Sequence, residues 1–98
     1  MVENVVWSPQ AVYNYNGILL YLLENWSFTV AENYQQVVYN LIDTIVSNPD
    51  IGMKSVRYVD LCRILITKHS FLIYRISGNT LEIVDIFDTR QDPDIMIF

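Results

Sequence analysis

No lysine or arginine occurs among the first 53 residues of this chain, which carry Glu3, Glu24, Glu32, Asp43 and Asp50. The six cations, Lys54, Arg57, Arg63, Lys68, Arg75 and Arg90, all lie beyond them, where Asp60, Glu82, Asp85, Asp88, Asp92 and Asp94 balance them. The first half therefore supplies the whole net charge of −5. Affinity for a phosphate backbone comes largely from counterions released by Lys and Arg, so direct binding to duplex DNA is not expected, and a charged contact belongs to the second half. One cysteine and one histidine cannot ligate a structural zinc or build a disulfide framework. There is neither a Gly-rich phosphate loop nor a nucleophile elbow, so no metal and no cofactor is expected. The longest apolar run, Ile18 to Leu23, is six residues, against the ~20 that a membrane helix needs. Without a cation in the first 15 residues to open a signal peptide, the cytoplasm is the expected address. Only three Gly and three Pro in a chain that is 52% hydrophobic argue for a folded protein. A single domain spanning residues 1–98 is expected.

Val2 to Trp7 is short, apolar and β-branched, and reads as a strand. Ser8-Pro9 then offers a helix cap and a first-turn proline. Ala11, Tyr15, Ile18, Leu19, Leu22 and Trp26 recur at three and four, the spacing of one helical face. Gly17 interrupts that helix at a cost of about 1 kcal/mol unless a neighbour packs close against it. Thr29-Val30-Ala31-Glu32 has the form of a capping box, predicting a second helix from Thr29 and a helical hairpin joined through Ser27-Phe28. Val30, Ala31, Tyr34, Val37, Val38, Leu41, Ile42, Ile45 and Val46 carry its stripe until Asn48-Pro49-Asp50-Ile51-Gly52 stops it.

Beyond Gly52 the period becomes extended. Leu61–Thr67, Ser70–Ile76 and Thr80–Phe87 predict a three-stranded antiparallel meander with turns at Lys68-His69 and Gly78-Asn79. A two-residue turn at Gly78-Asn79 sets Arg75 opposite Glu82 and Leu72 opposite Asp85, although a slip of one residue inverts every face. The order β-α-α-β-β-β predicts an α+β fold, a helical hairpin packed on one side of a small antiparallel sheet.

Arg63 and Arg75 stand in strands that are otherwise nearly all apolar. A guanidinium there either pairs with a carboxylate such as Glu82 or Asp85, or opens onto an uncovered sheet face where it can read an anion. His69 reads as a turn residue and Cys62 as an inert, buried strand residue. Tyr13, Tyr21 and Tyr39 project from the helices, at the edge of the core or in a protein interface. Ile95-Met96-Ile97-Phe98 is an apolar tail that needs a surface to dock on.

The carriers of a family likeness run from Ser8 to Pro93: Pro9 and Ala11, Ile18 and Tyr21, Trp26, Ala31, Ile45, Asn48-Pro49, Ile51-Gly52, Arg57, Arg63, Phe71-Leu72-Ile73-Tyr74-Arg75, and Ile83 through Asp88-Thr89-Arg90-Gln91-Asp92-Pro93. In this order and spacing the chain resembles the RelE/ParE superfamily of toxins from type II toxin–antitoxin pairs, also labelled plasmid stabilisation proteins. The resemblance implies a helical hairpin on a small twisted sheet and a growth inhibitor held silent by a cognate antitoxin, with Tyr13, Tyr21, Tyr39 and Phe98 as expected antitoxin contacts. Arg57, Arg63, Arg75 and Arg90 are the expected target contacts.

The ParE-like branch is known for poisoning DNA gyrase and the RelE-like branch for cutting messenger RNA in the ribosome. Metal-free RNA cleavage needs a base for the 2′-hydroxyl, an acid for the leaving oxygen and cations for the phosphate. Where ribonuclease members that look like this one supply a His or Tyr, this chain has Asp88 and Thr89, with Arg90 kept. Tyr74 and His69 are the other acid or base candidates. The reading therefore favours a non-enzymatic, ParE-like toxin. The alternatives are a ribosome-dependent endoribonuclease built on Arg63, Arg75, Asp88 and Arg90, and an inactive member that only binds its antitoxin.

Overall fold

Ser8 sets the boundary between the first strand and the first helix. Its hydroxyl accepts a hydrogen bond from the Ala11 N–H at 3.0 Å and donates one to the Val84 carbonyl at 2.6 Å, tying the helix start to the last strand. The computed structural model describes residues 1–88. The elements run β1 (Asn4–Trp7), α1 (Pro9–Asn25), α2 (Phe28–Ser47), a single 3₁₀ turn (Pro49–Ile51), β2 (Met53–Lys54), β3 (Cys62–Thr67), β4 (Ser70–Ser77) and β5 (Thr80–Asp88). The fold is α+β, as expected, but the sheet has five strands in the order β1-β5-β4-β3-β2. The meander β3-β4-β5 is antiparallel, whereas β1 runs parallel to β5. Two-residue β2, too short to stand out from its sequence, forms the far edge.

The second helix begins before the expected capping box. Ser27 is the N-cap, accepting from the Val30 N–H at 3.1 Å, and Thr29 lies inside the helix. The serine hydroxyl two residues upstream caps an earlier amide, so the helix extends back to Phe28 and the two-residue hairpin link moves to Trp26-Ser27. Ala11, Tyr15, Ile18 and Leu22 from α1 and Ala31, Tyr34, Val38, Ile42 and Ile45 from α2 are buried. They close a core with Leu72, Tyr74, Leu81, Ile83 and Ile86 from one face of the sheet. Trp26, Val30 and Val37 share the helical period, yet all three stay exposed.

Gly17 is exposed, and a Cβ built on it meets nothing within 4 Å. No close neighbour compensates for its flexibility. Gly17→Ala is expected to stabilise the fold by about 0.5–1 kcal/mol, raising Tm by roughly 2–8 °C in a thermal melt.

The β4–β5 turn is the expected one. Ser77 pairs Thr80, Arg75 pairs Glu82, and Gly78 takes φ of 60°, the left-handed conformation that favours glycine. The register then shifts: Tyr74 pairs Ile83 but Ile73 pairs Asp85, which leaves Val84 as an extra residue on β5. Leu72 accordingly meets Ile86, not Asp85. This bulge, where the Ser8 hydroxyl takes the Val84 carbonyl, preserves Leu72 and Ile86 as a buried apolar pair.

Candidate functional site

Alternation along β3, β4 and β5 sorts their side chains onto two surfaces. Leu72, Tyr74, Ile83 and Ile86 face the helices, so their neighbours Phe71, Ile73, Arg75 and Glu82, with Arg63 and Leu65 paired to them, form the open face. Arg63 lies opposite Ile73. Its guanidinium carbon sits 5.2 Å from the centre of the Phe71 ring, a cation–π distance, and its Nη2–H reaches Met53 Sδ at 3.6 Å. Phe71 in turn packs on Phe87, ring centres 5.8 Å apart. Ile51, Met53, Leu65 and Phe71 wall a shallow concavity of about 340 Å³ around Arg63. Ile51, Met53 and Leu65 are 43%, 61% and 54% exposed. The result is a cation set in a greasy surface.

Arg75 shares that face but is engaged. Its Nε–H donates to Glu82 Oε1 at 2.5 Å in a pair that remains partly solvated, and exposed pairs of this kind contribute ~0–1 kcal/mol. Arg57 stands on the exposed loop between β2 and β3, where the Ser55 hydroxyl accepts from the Arg57 and Tyr58 amides at 3.0 and 2.9 Å. The structure thus unites Arg63 and Arg75 on one face and leaves Arg57 at the tip of a loop. Arg90 lies outside the described residues.

Asp88 does not join Arg63 and Arg75. It pairs with buried Ser70 on the helix side of the sheet and is itself 4% exposed. Tyr74 is excluded as a solvent-facing acid or base for a different reason. It is fully buried, its hydroxyl donates to the Pro49 carbonyl at 2.8 Å and accepts from the Gly52 N–H at 2.9 Å. Burial is the main cause that pushes its pKa above the ordinary tyrosine value. Asp85, at the bulge, is held to the helix layer: it accepts from Asn14 Nδ2 of α1 at 2.7 Å and from the Ile86 N–H at 2.8 Å. Cys62, expected to be buried, is a half-buried free thiol at the end of β3, where the sheet thins to two-residue β2. Among the described residues no group of three His, Cys, Asp or Glu could hold a metal ion, and no helix is long and apolar enough to cross a membrane.

A second concavity lies on the helix side. Ile18, Leu22 and Trp26 of the first helix and its cap face Val30, Tyr34 and Val37 of the second across a groove of about 430 Å³. The β3–β4 turn closes one end, with His69 and Asp88 on the rim. Tyr13, Tyr21 and Tyr39 are exposed on the helices at 77%, 39% and 46%. Phe98, and with it the apolar tail, lies outside the described residues. Alternation could have identified Phe71 and Leu65 as neighbours of Arg63, but nothing in the pattern marked Ile51 or Met53, which arrive from the turn after α2.

Residues 5–93 match the family model described as the ParE toxin of the type II toxin–antitoxin system, parDE. The chain belongs to the ParE toxin family. Its fold is that of solved toxin structures at low identity. The chromosomal ParDE TA system from P. aeruginosa superposes with a TM-score of 0.74 at 14% identity, covering 89% of this chain and 96% of that one. The YoeB/ParE toxin from Agrobacterium tumefaciens gives 0.67 at 16% identity, covering 88% and 98%. The YoeB dimer from Staphylococcus aureus gives 0.63 at 20% identity, covering 87% and 94%. No curated protein sequence matches the chain. This ParE-family chain shares the fold of those toxins and carries all of its cations in its second half.

Proposed function

We propose that this ParE-family protein arrests growth by holding a cellular target on the open sheet face around Arg63, and that a cognate antitoxin silences it. The observation that carries this reading is chemical. Arg63 sits in an apolar, aromatic surface suited to binding, while the acid and base candidates lie elsewhere: Tyr74 is locked to Pro49 and Gly52, Asp88 is turned to the helix side, and His69 lines the helix-side groove. A metal-free ribonuclease needs an acid and a base converging on one phosphate. Binding without cleavage fits the described residues better, and a gyrase-type target is the first to test.

Support for the antitoxin comes from the solved relatives, which include the YoeB–YefM complex from Staphylococcus aureus. The helical groove bordered by Trp26, Val30 and Val37 supplies apolar surface of the kind such a partner covers, and Tyr13, Tyr21 and Tyr39 are exposed elsewhere on the same hairpin.

The test is pulse incorporation of labelled thymidine and labelled amino acid within minutes of inducing the protein alone. Thymidine incorporation is expected to fall first. Early loss of amino-acid incorporation, with cut transcripts, would replace this reading with ribosome-dependent RNA cleavage. Unaffected growth would leave antitoxin binding as the remaining activity.

A further inference from the structure

The groove on the helix side, with exposed Trp26, Val30 and Val37 along it, does not end in apolar surface. At Asn33 it meets a second concavity of about 390 Å³ on the same helix, whose other walls are Glu32, Gln35, Gln36 and Tyr39. Two of those amides are engaged along the helix: Gln35 Nε2–H donates to the Tyr39 hydroxyl at 3.3 Å and Gln36 Nε2–H to Asn40 Oδ1 at 3.0 Å. Glu32 is the charged member, exposed and in no ion pair among the described residues. The hairpin around it cannot neutralise that carboxylate, because residues 9–47 hold Glu24, Glu32 and Asp43, all exposed, and no Lys, Arg or His. Lys68, on the turn that closes the groove, is the one lysine or arginine lining it among the described residues. An acidic partner segment would bring like charge to a surface of three carboxylates and one lysine, which costs affinity and slows encounter. A purely apolar segment would fill the groove and gain nothing past Asn33. A segment that is apolar over the groove and carries Lys or Arg beyond it suits both concavities, and its charge steers it onto the hairpin.

Resting on the antitoxin reading above, we infer that the antitoxin segment covering the hairpin is cationic: large apolar side chains seated against Trp26, Val30 and Val37, followed by Lys or Arg against Glu32. The apolar contact supplies most of the affinity. The Glu32 pair, with the field of Glu24 and Asp43 behind it, supplies the selectivity for sign, which is greatest at low salt.

The test uses the full chain and three labelled peptides read by fluorescence anisotropy. They share one amphipathic pattern, Leu-X-X-Leu-Leu-X-X-Leu-Trp-X-X-Leu, in which every X is Lys, Gln or Glu. At low salt the Lys peptide is expected to bind about tenfold more tightly than the Glu peptide, with the Gln peptide between them and the gap shrinking as salt rises. Glu32→Gln should narrow that gap by about two- to fivefold, the share of one solvated pair, while Lys68→Gln should not weaken the Lys peptide. Val30→Ser and Val37→Ser should each weaken all three peptides. The four substituted side chains are exposed, and thermal melts identify any variant that fails to fold. Glu32→Lys, which should narrow the gap further than Glu32→Gln, gives a second reading at the same position.

Equal or tighter binding of the Glu peptide to the unaltered chain would overturn the proposal. So would a Lys preference undiminished by Glu32→Gln, or binding indifferent to both valine substitutions, since either would place the peptide elsewhere on an acidic surface. Displacement of the Lys peptide by a peptide copied from residues 92–98 of this chain, binding more tightly than it, would assign the groove to the protein's own end and likewise overturn it. Self-association that Val37→Ser abolishes and the Lys peptide cannot reverse would assign it to a second copy, with the same consequence. Growth arrest on expression of the unaltered chain is scored independently. Absence of arrest alongside a Glu32-dependent Lys preference would sink the toxin reading while the recognition chemistry stands, and arrest without that preference would do the reverse.

Discussion

Arg63→Ala is expected to abolish growth arrest while leaving the protein folded. The guanidinium lies over the Phe71 ring and beside Met53, at the centre of the open face. Residues so placed in an interface, arginine prominent among them, cost about 2–4 kcal/mol on truncation, or roughly 30- to 1000-fold in affinity. Colony counts after induction give the first readout and affinity for the isolated target the second. Arg75→Ala is the internal control. Its partner Glu82 takes up its charge at 2.5 Å in a solvated pair, so its loss should change stability by less than about 1 kcal/mol and toxicity far less than loss of Arg63. A folded Arg63→Ala protein that still arrests growth would remove the open face from the proposed mechanism.

Gly52→Ala should be the more damaging change to the fold. Gly52 has φ of −75°, a conformation open to any residue. Its constraint is space, since a Cβ there would lie 2.6 Å from the Tyr74 hydroxyl oxygen and 2.8 Å from ring carbon Cε1. Tyr74 cannot swing aside because it is fully buried and holds both Pro49 and Gly52. Overpacking of a buried site costs about 1–3 kcal/mol, and breaking the two hydrogen bonds adds about 1–3 kcal/mol more through their unpaired partners. Chemical denaturation should show a loss of roughly 2–6 kcal/mol, enough to unfold a marginal domain. Tyr74→Phe alone should cost about 1–3 kcal/mol. Combining it with Gly52→Ala should cost less than the sum, because removing the hydroxyl relieves the closest overlap while the ring carbon still crowds. Strict additivity of the two changes would refute this account of Gly52.

Much of this arrangement could be read from residue order. Ser8-Pro9 started a helix, Asn48-Pro49 ended one, and Gly78-Asn79 turned the last hairpin so that Arg75 met Glu82. These are local decisions, in which a side chain and its own backbone suffice. The errors were of two kinds. Ser27 displaced Thr29 as the cap because two hydroxyls within three residues can each satisfy an orphan amide, and local pattern alone does not rank them. Leu72 missed Asp85 because the Val84 bulge coincides with a hydrogen bond from Ser8, a contact between chain ends that no window of neighbours contains. The site failed in the same way. Arg63 and Arg75 were placed by alternation, but Asp88, three residues past Asp85 and on the other side of the bulge, faces the helices, and Met53 reached Arg63 through a two-residue strand. Trp26, Val30 and Val37 carried a core period without a core to fill. A helical stripe wider than its covering sheet marks surface for another molecule, a distinction visible only once the sheet is in place.

The parallel pairing of β1 with β5 has a consequence in time. Ser8 and Val84, joined by a hydrogen bond, are 76 residues apart, so at about 5–20 residues per second the ribosome needs roughly 4–15 s between making one and making the other. The helical hairpin can form from local contacts during that interval, but the first strand has nothing to pair with. The open face depends on strands made after the hairpin. A partner recognising the hairpin alone would therefore have several seconds in which to bind before the first strand finds its place beside β5.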